Sequence, residues 1–167
     1  KSSLLRTLSG LLPRERGAIR WNGTDIDELH DDYKRQLTYL GHLNGIKDDL
    51  TAMENLQISA ELFGDDRSAT SACEALQAVG LGRRTQSLPT RVLSQGQKRR
   101  VALARLWLSK RPLWILDEPF AALDDVGTAL LTEQLARHLD AGGMAVVATH
   151  QAVGVREESL RMLRLPG

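Results

Sequence analysis

Residues Leu113-Trp114-Ile115-Leu116 form an unbroken apolar run that stops at two acids and a proline, Asp117-Glu118-Pro119. A strand that is apolar at successive positions has to be covered on both faces, and sheets covered on both faces are the parallel sheets of α/β folds. Met144-Ala145-Val146-Val147-Ala148 repeats the pattern after Gly142-Gly143, and helical spacing fills the interval from Val126 to Leu139. This strand, helix, strand order predicts a mostly parallel α/β sheet. Further strands are predicted at Leu37 to Leu40, at Ala18 to Trp21 before an Asn22-Gly23 turn, and at the edge from Leu160 to Leu165.

The remainder reads as helix. Ser2 to Leu12 carries apolar residues at 4, 5, 8, 11 and 12, and Gly10 with Pro13 mark its end. From Thr51 to about Leu108 the spacing is helical, with Met53, Leu56, Ala60 and Phe63 on one face and Ala72, Leu76 and Val79 on another. Gly80 and Gly82 interrupt it. No internal repeat or low-complexity linker divides the chain, so one domain over residues 1–167 is predicted, with a helical subdomain inserted at about 51–108.

Composition narrows the function. Basic and acidic residues are interspersed and the formal charge is +1, which excludes the electrostatic footprint of a dedicated nucleic-acid binder. No apolar run approaches the roughly 20 residues of a membrane-spanning helix, so a membrane role has to come through a partner. The single cysteine, Cys73, excludes an internal disulfide and reads as a small buried thiol in a helix. The chain opens on Lys1-Ser2-Ser3 rather than methionine, which predicts a truncated sequence.

Four short segments carry candidate chemistry. The strand ending at Asp117-Glu118 delivers two carboxylates where open α/β sheets bind ligands; one can hold magnesium and the next can orient water against a phosphate. A strand running into a polar turn before Pro119 explains the same residues. Leu93-Ser94-Gln95-Gly96-Gln97 places Ser94 as the cap of a helix whose open N-terminus attracts phosphate, although a plain helix cap looks alike. Lys1-Ser2 before a helix matches the tail of a phosphate-binding loop, and a solvated terminus is the simpler reading of those two residues alone. Lys98-Arg99-Arg100 reads as the polar shoulder of the helix after Ser94 rather than as a nucleic-acid contact.

Together these segments resemble the ATP-binding subunits of ABC transporters. Leu93 to Gln97 resembles the signature sequence, Leu116-Asp117-Glu118-Pro119 the Walker B motif, and Ala121-Ala122-Leu123-Asp124 the D-loop. His150 after Thr149 is similar to the switch histidine, and Lys1-Ser2-Ser3-Leu4-Leu5 to the end of Walker A. The resemblance implies a P-loop NTPase fold of the ABC ATPase type with its N-terminal part missing. It also implies a head-to-tail dimer of two copies closing on two ATP molecules.

In that mechanism Lys1 neutralises phosphate, Ser3 lies beside it, and Ser2 and Asp117 hold Mg2+. Glu118 polarises the attacking water and His150 touches the γ-phosphate. Ser94, Gly96 and Gln97 reach the nucleotide of the other copy, and Asp124 lies across the interface. A chain lacking the loop's glycines and their leading strand is expected to bind ATP poorly.

Where the family usually has the Q-loop glutamine this sequence has His42, a poorer ligand for a hard cation than an amide oxygen. Gly41-His42-Leu43-Asn44-Gly45-Ile46-Lys47, Leu50 to Leu56, Arg99 to Leu108, Leu113 to Phe120 and Thr149-His150-Gln151 are similar to the ATP-binding subunits of bacterial cytochrome c maturation systems. That narrower resemblance implies heme export, or release of heme to a periplasmic chaperone, with integral membrane subunits as partners at the cytoplasmic face of the inner membrane. The alternatives are another exporter, or an ABC ATPase acting on nucleic acid or ribosomes; the short, heptad-free segment from Thr51 to Arg91 weighs against the latter.

Overall fold

The computed structural model describes residues 1–163. Its centre is a parallel sheet of three strands in the order β3 (Leu37–Leu40), β4 (Leu113–Asp117) and β5 (Met144–Ala148). Leu40 lies opposite Leu116, and Asp117 opposite Ala148. Alternation along β4 then sorts its side chains: Leu113 and Ile115 enter one core, Trp114 and Leu116 the other. Every residue of β4 is buried, as its sequence requires.

One face of the sheet packs against Leu5 of α1 (Ser2–Leu8), Ile26 of α2 (Ile26–Leu29) and Tyr33 of α3 (Asp31–Arg35). Before α2 the chain makes a small antiparallel hairpin, β1 (Arg20–Trp21) and β2 (Thr24–Asp25). Asn22 and Gly23 join the two strands with φ of 51° and 86°, and a two-residue turn with both centres at positive φ matches the twist of a hairpin. α1 is shorter than predicted: the Ser9 N–H bonds back to Leu5, and Gly10 at φ 71° turns the chain away.

A second layer consists of α4 (Ala52–Phe63), α5 (Ala69–Ala78) and α6 (Arg83–Gln86), followed by α7 (Gln95–Leu103) and α8 (Arg105–Leu108). Thr51 and Glu54 close a capping box at the start of α4. Ala52, Leu56, Ala72, Leu76 and Val79 form one core with Val101 and Ala104, while Ala102, Leu103 and Leu106 join the sheet's core. The α7–α8 segment is thus apolar on two sides and ties both layers together. Phe63 lies outside the predicted buried face at 45% exposure and carries the Arg105 guanidinium 4.7 Å above its ring. Cys73 is half-buried rather than enclosed, with its Sγ accepting from Gln77.

α9 (Asp125–Asp140) returns the chain to β5. His138 near its end stacks on Trp114 at 3.8 Å between centroids and 6° between planes, and its Nε2 meets the Met144 carbonyl oxygen at 3.1 Å. Gly143 is required there, since a Cβ at that position would lie 2.3 Å from the imidazole. Leu160 to Leu163 form no strand, contrary to expectation, and the remainder of that predicted edge, Arg164 and Leu165, lies outside the described residues.

Burial holds the His138 imidazole below its ordinary value, against the opposing pull of the Met144 and Pro112 backbone. The neutral ring is therefore favoured in the folded chain, and the unfolded chain takes up the proton first, near pH 6.5. Stability from this site is complete above about pH 7 and falls as pH drops through that value. Thermal melting from pH 7.5 to 5.5 is expected to show that decline, and His138→Phe, which keeps the stack but cannot titrate, to flatten it.

Candidate functional site

Two clusters stand at the end of the sheet where β4 and β5 terminate. In the first, Lys1 Nζ lies 3.4 Å from His150 Nδ1, and His150 Nε2 lies 3.5 Å from a Glu118 carboxylate oxygen. Lysine only donates, so Nδ1 accepts and the remaining ring proton is on Nε2, facing the carboxylate. The start of α1, the end of β4 and the segment after β5 thus put three residues in one row. Asp117 sits beside them, 3% exposed at the last position of β4. Ser2 and Ser3 are exposed in the first turn of α1. His42 is exposed two residues past the end of β3, at the same edge of the sheet.

The Glu118 backbone is unusual. Its φ is 46°, a region that residues with a side chain enter at a cost of about 1–3 kcal/mol and that clusters at functional positions. Its N–H donates to Ala148 at 2.8 Å, which locks the residue to β5. Ala122, four residues on, has φ 62°. The loop between β4 and α9 is therefore held in a defined shape, with Ala121 and Leu123 donating back to Glu118 and Phe120.

The second cluster lies at the start of α7. The Ser94 hydroxyl oxygen accepts from Gln97 N–H at 3.2 Å, and the Gln97 side chain accepts from Ser94 N–H at 3.0 Å, a closed capping box. Ser94, Gly96, Gln97, Arg100, Ala122 and Asp124 line an open cavity of about 320 Å³. Asp124 caps α9 by accepting from Gly127 N–H at 2.9 Å, and it pairs with Arg100 at 2.5 Å. The Gly127 hydrogen bond first, then Arg100, holds the Asp124 carboxyl below the usual range. Arg100 also donates to the Val79 carbonyl, so the helical layer and the loop before α9 share one cation. Among the described residues no hydrogen bond or ion pair joins this cluster to Lys1, Glu118 or His150.

Arg99 corrects the reading of Lys98-Arg99-Arg100 as the polar shoulder of the helix, because it is 3% exposed and points into the protein. Its signal was the helical spacing of 99, 102, 103 and 106, which are all buried. Lys98 pairs with Asp48 at 2.6 Å and so braces the loop after His42.

The ABC transporter family model matches residues 1–121. The chain belongs to the ABC transporter family. Within it, the chain is 53% identical over 165 residues to the cytochrome c biogenesis ATP-binding export protein CcmA of Dechloromonas aromatica, covering 99% of this chain and 80% of that protein. The protein of the same name from Nitrosospira multiformis is 52% identical over the same shares. Among solved structures, an ATP-binding subunit of an ABC transporter aligns with TM-score 0.74 and 28% identity, over 90% of this chain and 63% of that one. A dimeric ATP-binding cassette in a post-hydrolysis state, bound to ADP and Pi, aligns with TM-score 0.77 at 24% identity, over 90% of this chain and 69% of that one, which supports the fold. As an ABC ATPase the chain is a nucleotide-binding, ATP-hydrolysing subunit.

An ABC ATPase with this geometry has little room for a side chain at Gly96. A Cβ there would lie 3.0 Å from the Ala122 carbonyl oxygen, so the backbone of the loop before α9 would have to give by a few tenths of an ångström. Gly96→Ala is expected to lower stability by about 1–3 kcal/mol through overpacking, measured as a shift in the denaturant midpoint.

Proposed function

We propose that this chain powers a membrane complex for cytochrome c biogenesis, driving heme export or the release of heme from that complex to a periplasmic chaperone. The observation that carries the reading is 53% identity to a cytochrome c biogenesis ATP-binding export protein across nearly the whole chain. The row Lys1, His150, Glu118 supplies matching chemistry. Lys1 neutralises the β- and γ-phosphates, and His150 contacts the γ-phosphate. Glu118 takes the proton of the attacking water.

The Ser2 hydroxyl and the Asp117 carboxylate are hard oxygen donors of the kind magnesium selects. These two residues would hold Mg2+, which, bound with ATP, would neutralise phosphate charge. Ser3 adds a hydroxyl to the first turn of α1, and His42 hydrogen-bonds water at the same edge.

Ser94, Gly96 and Gln97 open the N-terminus of α7 to the nucleotide held by a second copy, head to tail, with Asp124 at the boundary between copies. Residues 51–108 serve as the helical subdomain. Among the described residues no helix is long and apolar enough to cross a membrane, so the work reaches the bilayer through integral membrane subunits. The chain then sits at the cytoplasmic face of the inner membrane.

Deleting the chromosomal copy in the source bacterium and restoring the subunit tests the reading. Wild type is expected to bring back c-type cytochromes, seen by staining covalently attached heme, and Glu118→Gln to fail. In vitro the full-length subunit carrying Glu118→Gln should keep ATP binding and lose about 10²–10⁴-fold in hydrolysis, the usual worth of a general base. Wild-type turnover in that variant would show that Glu118 is not the base. A subunit that hydrolyses ATP yet leaves c-type cytochromes unaffected by its deletion would place it with a different exporter.

A further inference from the structure

Arg99 is a buried cation with every donor in use. Its Nε donates to Pro119 O at 3.4 Å, its Nη1 to Gly41 O and Asn44 Oδ1 at 3.2 Å each, and its Nη2 to Asp117 O at 3.2 Å and Glu118 O at 2.7 Å. A guanidinium has five N–H groups, and here each has its own acceptor. Burial pushes the Arg99 value down, and the nearby Asp117 and Glu118 charges oppose that shift. None of its acceptors is on its own helix: they lie on the last residue of β4 and the turn after it, and on the segment after β3 that contains His42.

We infer that Arg99 is a positioning residue, which holds the Glu118 peptide and the Gly41–Asn44 segment in fixed relation so that the carboxylate faces the attacked phosphate. Glu118 occupies a positive φ, and such conformations persist only where the surroundings over-determine them. Its N–H is fixed by β5 and its carbonyl by Arg99 and, less closely, by the Ala121 N–H. Losing the shorter Arg99 bond leaves the carbonyl held by Ala121 alone, which lets the peptide relax toward an ordinary φ and swings the side chain away from His150. Because Arg99 stands on α7, which begins at the Ser94 cluster, the same side chain carries any shift of that helix directly to the Glu118 peptide. Lysine, with three donors on one nitrogen, cannot span two segments in this way.

The inference rests on Glu118 acting as the base. It is tested by ATP hydrolysis in the subunit carrying Arg99→Met, Arg99→Lys or Asn44→Leu, each alone and combined with Glu118→Gln. Arg99→Met is expected to lower kcat by about 10–100-fold, the cost of a misplaced reacting group, with KM for ATP changed by less than about threefold. Arg99→Lys should recover part of that loss.

On Glu118→Gln, adding Arg99→Met should change the residual rate by less than about twofold, because nothing is left to position. A full multiplicative loss there, or equal losses in kcat and ATP affinity, overturns the inference and makes Arg99 a support of the fold alone. If Arg99→Met fails to fold, as thermal unfolding will report, Asn44→Leu removes one acceptor of the five and should still lower kcat at an unchanged melting midpoint; an unchanged kcat in that variant overturns the inference. Glu118→Gln turning over at the wild-type rate would instead refute the assigned base and take the inference with it.

Discussion

Strand β4 has a paired neighbour on each edge and a packed layer on each face, and Asp117 and Glu118 hang from its end. Burial on all sides gives the strand its rigidity: cutting Leu116 or Ile115 back to alanine would remove about 2–5 kcal/mol each. That rigidity allows a residue at φ 46° to stay in place next to it, because the Glu118 peptide inherits a fixed end from β4 and a fixed neighbour from β5. The same end of the sheet brings Lys1 and His150 together, although they are 149 residues apart in sequence.

The helix α7 is the second constraint. It faces the helical core with Val101, the sheet core with Ala102 and Leu103, and the β4 turn with Arg99, while its first turn forms the Ser94 cluster. Little in this helix is free to move independently of the layers it joins. A displacement of the Ser94 end is therefore communicated to both the helical layer and the Glu118 turn, through packing and through one guanidinium.

The parts of the fold governed by short-range patterning were legible in the chain. β4 and β5 fall where continuous apolar runs placed them, β3 falls at its predicted span, and the β1–β2 hairpin turns on Asn22-Gly23, because these patterns depend on neighbours in sequence. The helix expected from Ser2 to Leu12 stopped at Leu8, since Gly10 ends it before Pro13 has any effect.

Arg99 was missed for a different reason. Read as one of three adjacent cations it belonged to the surface, whereas at helical spacing it shares a face with Ala102, Leu103 and Leu106, and its acceptors come from two distant segments that no local pattern announces. The row Lys1, His150, Glu118 was legible only through family resemblance, because spacing along the chain carries no information on which loops meet.

The Ser94 cluster and the Lys1 cluster occupy different parts of one chain, and on the proposed reading each completes the other across two copies. Single-turnover hydrolysis in mixed dimers tests this most directly. Pairing a Ser94→Arg copy with a Lys1→Ala copy confines both lesions to one site and leaves the other whole. The mixture is expected to hydrolyse ATP while each homodimer is inactive, and a mixture no more active than either homodimer would rule out the shared sites.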